Sequence, residues 1–596
     1  MPGGGAVGGV APNVKETQAD EAPVPLVFVN QTGYLPGRPK LGVVRTDVVT
    51  PLPYTVRDGA QQVVFQGQTR PFGKDPASGL TVHRIDFTAY QKEGKSFTLQ
   101  VETTPPERSH PFDLAKDVYA PLKYDALAFF YHQRSGVPIE LPYAGQSQWV
   151  RPAGHVNDDA VPCLPGSGCD YELNVKGGWY DAGDHGKYVV NGGVSVWLLQ
   201  ALWERSTIVG AEAAKAFGDG AVNIPERTNG FPDLLDEARI ELEFMLRMQV
   251  PKGEPLAGMV HHKMHDRAWT ALGLPPHLDK QPRFLHKPTT AATLNLAAVA
   301  AQASRLWKTL DPKFSGRCLR AAKRAFAAAH AHPAMFAAKQ GQGGGPYDDD
   351  DVSDERYWAA AELFITTGLD AYLEVVRQRP LHASLFGESP VPASGACFSW
   401  QSTAALGAFS LAMTSSPLPE SDREALRAQV QKTADEILHV IEEQAFASPL
   451  RPGPKGYVWG SNGDALSNLV AVTLAYDFTK GSHYADAVST AIGYLLGRNP
   501  LDKSYVAGYG ERPLRNPHHR FWAQQLSSRY PPPPPGAVSG GPNSELQDPV
   551  ARRAGLRGCA PQACYVDHSG AYSVNEVAIN WNAPLVWVAA FLDELR

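Results

Sequence analysis

Residues 291–306 read AATLNLAAVAAQASRL, and Arg305 is the only charge in them. Residues 466–476, LSNLVAVTLAY, carry no charge at all. Helices of this composition are buried on most of their surface. They alternate with segments of a different kind. In Leu234–Leu246 the apolar positions Leu235, Ala238, Leu242, Met245 and Leu246 fall on one helical face. Roughly twelve helical segments can be placed between Tyr119 and Arg596 by pattern alone. Buried helices interleaved with amphipathic ones predict two concentric helical layers, with function on the connecting loops.

The first part of the chain has another rhythm. From Pro23 to about Pro111 short apolar runs such as Leu26–Val29, Leu41–Val44, Val63–Phe65 and Phe97–Val101 are punctuated by Gly and Pro. That pattern predicts a small β-sandwich. The Gly-rich, then polar, stretch 1–22 is expected to be disordered. The expected boundaries are 1–22, a sandwich over 23–115 and a helical domain over 116–596.

Length and charge narrow the function. A chain of 596 residues is long for one ordinary domain. A net charge of -6 with 19% charged residues is not a nucleic-acid footprint. No apolar run is long enough for a membrane span, so neither nucleic acid nor membrane is an expected partner. The start has no basic n-region or apolar h-region. The protein is therefore cytoplasmic, or secreted or periplasmic with its signal absent from this chain. Six Cys are few, but Cys163/Cys169 and Cys559/Cys564 are close pairs suited to small disulfides of an oxidising compartment. A monomer is the expectation.

Two motifs carry carboxylates amid aromatic and small residues. One is Gly177–Tyr188, GGWYDAGDHGKY, and the other is Tyr565–Ala583, YVDHSGAYSVNEVAINWNA. Two carboxyl groups facing each other across a sugar are what glycoside hydrolysis needs. Asp181 and Asp184 flank Ala182-Gly183, which are small enough to let water and sugar approach. Glu576 has apolar neighbours in Val577, Ile579 and Trp581 that would raise its pKa, as a general acid requires. Read in isolation, the first motif is a capped turn before a helix, and Glu576 an ordinary helix-start carboxylate. His518, His519 and Arg520 suit sugar hydroxyls as donors. Trp179, Tyr180, Trp400 and Tyr505 are stacking candidates, with core packing as the competing explanation for each.

Together the motifs resemble those of glycoside hydrolase family 9, the inverting cellulase family. The second matches its C-terminal signature at Tyr565, Asp567, Tyr572, Glu576, Ala578, Asn582 and Ala583. Residues 504–520 resemble its histidine signature, departing at Ala507. Residues 27–36, VFVNQTGYLP, are similar to the opening strand of the Ig-like module in one branch. The resemblance implies a mainly α fold, an (α/α)6 barrel behind an Ig-like domain that packs on it. It implies β-1,4-glucosidic cleavage of cellulose, cellooligosaccharides or related β-glucans, chiefly as an endoglucanase. The alternatives on the same fold are an exo-acting cellodextrinase or cellobiohydrolase, or an exo-β-glucosaminidase. By resemblance Asp184 is the general base, Asp181 its water-holding partner and Glu576 the acid. His518 and Arg520, with Tyr572, Trp179 and Trp400, would bind substrate. No cofactor is implied for catalysis. Structural calcium is expected at Asp354 and Glu355, although Gln401 stands where a further acidic ligand is common. Structural zinc is expected at His155, Cys163, Cys169 and His185, in competition with a Cys163–Cys169 disulfide, since Gly154 stands where the family pattern has Cys.

Overall fold

The computed structural model describes residues 26–339, 341–378 and 395–596; the segment 1–22 lies outside them. Ten short strands between Val27 and Leu114 form two sheets. In one, Leu41–Arg45 pairs antiparallel with Thr81–Asp86, setting Val43 opposite Arg84. In the other, Pro53–Arg57 lies between Val63–Gln68 and Gly94–Val101. Alternate residues point inward, as a two-layer sandwich requires. Val44, Val56, Ile85, Phe97 and Leu99 are thereby buried in a common core.

Among the described residues, twelve helices of eight residues or more follow. Every second one is buried almost all round: Val189–Val209, Thr290–Leu306, Ser353–Thr367, Ala404–Met413, Ser461–Thr479 and Ile579–Glu594. These form the inner ring of an (α/α)6 barrel. Their polar side chains meet each other near its centre. Trp197 and Trp587 stack with rings 6.4 Å apart. Trp197 Nε1 donates to Glu362 Oε1 at 2.8 Å, and Trp587 Nε1 donates to Thr473 Oγ1 at 2.8 Å. Five of the six inner helices are tied by this network, because each buried polar atom must find a partner inside. The sixth, Thr290–Leu306, joins it from its end through Arg305, which pairs with Glu362 and with Glu204.

The sandwich packs against the barrel. Arg84 donates to the carbonyls of Ile441, Glu442, Gln444 and Ala445, where the helix Glu420–Glu443 ends. A cation there satisfies orphan carbonyls and complements the helix dipole. Gln31 reaches the barrel loop at Asp502 and accepts from the Glu511 and Arg512 amides. Both expected close pairs, Cys163–Cys169 and Cys559–Cys564, are disulfides, while Cys318 and Cys397 are buried thiols.

Candidate active site

The first motif forms a tight turn that enters the inner helix Val189–Val209. The Asp181 amide closes the turn on the Gly186 carbonyl at 3.0 Å. Gly183 is required by close approach. A Cβ there would lie 1.9 Å from the His518 carbonyl oxygen. The turn is laced to the two other motifs through backbone bonds. Arg520 N donates to Gly183 O at 3.0 Å, and Ile579 N donates to Asp181 O at 2.9 Å. His518 N in turn donates to Asn575 O at 2.9 Å, beside Glu576. Residues almost 400 apart in sequence thus share one site.

The two aspartates are held by hydroxyl and amide donors. Asp181 accepts from Asn191 Nδ2 at 2.8 Å and Tyr347 Oη at 2.7 Å. Burial, and then the Asp184 charge, push its pKa up to about 7 against the pull of those two donors. Asp184 Oδ2 accepts from Tyr188 Oη at 2.8 Å and from the Gly186 amide at 3.2 Å. Tyr188 is itself fixed, since its hydroxyl accepts from Gly345 N at 3.0 Å. The strand Lys187–Tyr188 pairs with Lys263–Asp266, which sets the angle at which Tyr188 faces Asp184.

Glu576 has a different setting. It sits on extended backbone between the short helix Tyr572–Asn575 and the inner helix Ile579–Glu594. Its carbonyl accepts from Gly540 N at 2.7 Å, and its neighbour Val577 bridges to Ser539. Val577 and Ile579 are fully buried beside it. Burial, followed by the charges of Asp184 and Asp181, holds the Glu576 carboxyl well above the usual range, with Arg520 and the Gly183 amide opposing. A carboxyl held in its protonated form beside two further carboxyl groups is an arrangement able to split a glycosidic bond by acid–base chemistry.

Residues 119–589 match the profile described as "Glycosyl hydrolase family 9". The chain belongs to that family. It is a glycoside hydrolase. Residues 22–105 match "Cellulase N-terminal ig-like domain". The chain is 48% identical to the "Cellulose 1,4-beta-cellobiosidase" of Acetivibrio thermocellus over 96% of its own length and 68% of the relative's. It is 46% identical to "Endoglucanase C" of Cellulomonas fimi, over 96% of this chain and 52% of that one. A solved metagenome-derived glycoside hydrolase family 9 endoglucanase superposes with a TM-score of 0.82 at 32% identity, covering 95% of this chain and 98% of the other.

Several of the expected substrate contacts in this family 9 enzyme sit in buried or already bonded settings. Trp179 is fully buried against Phe130, with ring centroids 4.6 Å apart, and its Nε1 donates to Glu237. It is a core residue. Tyr180 and Tyr505 are buried too. Both ring nitrogens of His518 are already engaged in this structure. Its Nδ1–H donates to Ser569 O at 2.7 Å, and its Nε2 accepts from Arg520 Nη1 at 3.0 Å. Burial lowers its pKa to about 3, so the ring is neutral and holds Arg520 in place. His519 stacks on Trp522 at 3.8 Å and accepts the Phe521 and Trp522 amides, which makes it structural. Asp567 is a latch. It accepts from Lys503, from the Arg515 and Asn516 amides and from Asn575, pinning the histidine segment beside Glu576.

Trp400 does keep an accessible ring, edge-on to Tyr347 at 5.2 Å, and so does Tyr572. Two further aromatics were missed by sequence reasoning. Trp269 is 52% exposed with the Arg520 guanidinium 5.8 Å from its ring, and Trp459 is 39% exposed beside Tyr572. Both lie in loops with no motif around them. Only their neighbours in space mark them.

The expected metals fare differently. The Cys₂His₂ zinc set does not form, because Cys163 and Cys169 are bonded to each other. A thiolate tied up in a disulfide is no longer a ligand. The calcium expectation fits better. Glu355 is fully buried, and neither of its carboxylate oxygens has a hydrogen-bond partner, nor does Asp349 Oδ2. Burial, and then the adjacent Asp354 charge, hold the Glu355 carboxyl well above its usual range. A cation is the natural relief for carboxylate oxygens crowded in this way. Gln401 Nε2 donates to the Asp348 carbonyl and is no ligand in this arrangement.

Proposed function

We propose that this family 9 enzyme hydrolyses β-1,4-glucosidic bonds in cellulose, cellooligosaccharides and related β-glucans with inversion. The convergence of Asp181, Asp184 and Glu576 through the backbone bonds at Gly183, Arg520 and Ile579 carries this reading. Asp184 takes a proton from the attacking water as its oxygen bonds to the anomeric carbon. Glu576 delivers its proton to the departing glycosidic oxygen. Asp181, aimed by Asn191 and Tyr347, orients the same water. No cofactor enters these steps. Arg520, positioned by His518, and the rings of Trp400, Tyr572, Trp269 and Trp459 are the proposed sugar contacts, since aromatic faces with a few placed polar groups suit a carbohydrate.

Endo-acting cleavage is the leading reading. The exo-acting reading is favoured by one observation, the cellobiosidase among its nearer relatives. Asp354 and Glu355, with Asp349, would hold a structural calcium that takes no part in the bond-breaking step. The two disulfides favour an oxidising compartment, secreted or periplasmic. Among the described residues no helix is long and apolar enough to cross a membrane. The proposed units are a sandwich over 23–115 and the catalytic barrel over 116–596, acting as a monomer.

Digestion of cellohexaose, followed for product length and anomeric form at early times, tests the proposal. Inverted products of intermediate length are expected. Only glucose or cellobiose released from one end would replace the endo reading by the exo one. Retained configuration would overturn the mechanism.

A further inference from the structure

The helix Asp233–Arg247 lays two glutamates, one turn apart, against the first motif. Glu237 and Glu241 are both fully buried. Both bond to Trp179. Glu237 Oε1 accepts from the ring Nε1 at 2.9 Å, and Glu241 Oε2 accepts from the backbone amide at 2.6 Å. Their charges are met differently. Arg134 Nη2 lies 2.7 Å from Glu237 Oε2 in a buried ion pair. Glu241 has no ion pair among the described residues. The nearby ammonium of Lys187 is spent on Asp158 at 2.9 Å and on the carbonyls of Val175 and Gly177. None of the hydrolytic steps uses Glu241.

Glu241 touches both segments that hold Asp181. The Trp179 amide stands two residues before it in the chain. On the other side Glu241 Oε1 lies against Gly192 of the inner helix Val189–Val209, where a Cβ would stand 2.4 Å from that oxygen. Gly192 follows Asn191, whose Nδ2 donates to Asp181 Oδ1 at 2.8 Å. One carboxyl is thus wedged between the stretch that carries Asp181 and the turn of helix that aims it. Glu241 Oε1 has no hydrogen-bond partner, and neither has Asn191 Oδ1. Such orphaned buried atoms are rare and ask for a reason. An ionised carboxylate in this setting is costly, and a neutral carboxyl much less so. Burial accordingly pushes the Glu241 carboxyl up to about 8, against the pull of the Trp179 amide and Lys187 and with the charge of Asp181 adding to it.

We propose that Glu241 is a positioning residue for Asp181: wedged between the Trp179 amide and the Asn191–Gly192 turn, it fixes the direction from which Asp181 orients the attacking water. It acts at one remove and touches no substrate. The proposal rests on the water-orienting role given to Asp181 above. A misplacement of about 1 Å at a reacting group can cost about 10²-fold in rate, so a carboxyl buried behind the site can govern turnover. What the position demands is a neutral group with an acceptor toward Trp179. A carboxamide also supplies that.

Turnover of cellohexaose by the full chain tests this role. Glu241→Met keeps the bulk and removes the acceptor, so kcat should fall about 10–100-fold with little change in KM. Glu241→Gln, whose amide oxygen still accepts from Trp179, should recover most of that loss. Gly192→Ala presses a methyl onto Oε1 from the opposite side and should also lower kcat at constant KM, which keeps the test open if Glu241→Met misfolds. The deciding measurement is a double-mutant cycle with Asp181→Asn. A group that acts through Asp181 has little left to lose in that background, so Glu241→Met should then cost less than about 3-fold. An equal loss in both backgrounds would overturn the proposal, as would full activity in Glu241→Met while inverted products still form. Glu241→Gln as slow as Glu241→Met at an unchanged Tm would overturn it too, since the charge would then be what matters. Retained configuration in the unsubstituted enzyme would instead remove the reading of Asp181, and the proposal with it.

Discussion

The two halves of the candidate site hold their carboxyl groups in different surroundings. On one side Asp181 and Asp184 together receive three side-chain bonds, from Asn191, Tyr347 and Tyr188, and an amide bond from Gly186. Bonds donated to a carboxylate favour its charged form, and at Asp181 they oppose a burial that still raises its pKa to about 7. On the other side Glu576 rests on extended backbone just before buried Val577 and Ile579, with the carboxyl groups of Asp184 and Asp181 nearby and donors confined to Arg520 and the Gly183 amide as the counterweight. Desolvation and like charge stabilise its neutral form. In the proposed mechanism the same functional group serves as base or acid according to what surrounds it.

The strongest way to break this contrast is to remove each carboxylate in turn. Asp184→Asn and Glu576→Gln should each lower kcat/KM on cellohexaose by about 10²–10⁴-fold, leaving the fold intact by circular dichroism. A dinitrophenyl cellobioside, whose leaving group needs no proton, should restore much of the loss in Glu576→Gln and little in Asp184→Asn. Equal recovery in both would show that the assignment of acid and base is wrong.

The pH profile sharpens the same point. Glu576 acts in its protonated form, and its pKa is raised. Activity dependent on it is therefore present below that pKa and lost as the pH rises through it. Glu576→Gln, assayed on the activated substrate, should lack this alkaline limb. An unaltered limb would assign it to another group.

Smaller effects should come from the donors. Tyr188→Phe removes one bond to Asp184, and a bond to a charged group is worth about 1.5–3 kcal/mol. A fall in kcat of about 10–100-fold with little change in KM is expected. A rise in KM alone would make Tyr188 a substrate contact. The smallest effect is expected at the latch. Asp567→Asn weakens four bonds that pin the histidine segment, so Tm should drop while kcat changes by less than ~10-fold. A larger catalytic loss with an unchanged Tm would move Asp567 into the reaction itself.

Much of this was legible beforehand. The charge-free run Ala291–Leu306 and the one-sided Leu234–Leu246 announced inner and outer helices, because a helix in the barrel centre has no solvent face on which to place a charge. Alternating runs before Pro111 announced the sandwich for the corresponding reason in strands. The three carboxylates stood out because they sit in motifs whose small neighbours serve the chemistry, as Gly183 does where the His518 carbonyl crosses it.

Other features were decided only when the chain closed. Trp179 lies two residues from Asp181 yet turns into the core, since neighbours on an irregular loop can face opposite ways. His518 carries the motif but spends both ring nitrogens on Ser569 and Arg520. Trp269 and Trp459 have no local mark, and Asp266 and Asp279 reach His155 and His185 only through the pairing of Lys263–Asp266 with Lys187–Tyr188 and Arg283–Leu285. The sequence by itself determined which helices are central and which carboxyl-bearing motifs are candidates for the chemistry, because burial and bond-breaking restrict residue type position by position. Tertiary structure alone decided which aromatic rings stay exposed, which histidine is already bonded and which distant acids lie together, because those depend on direction and distance between segments that composition leaves unconstrained.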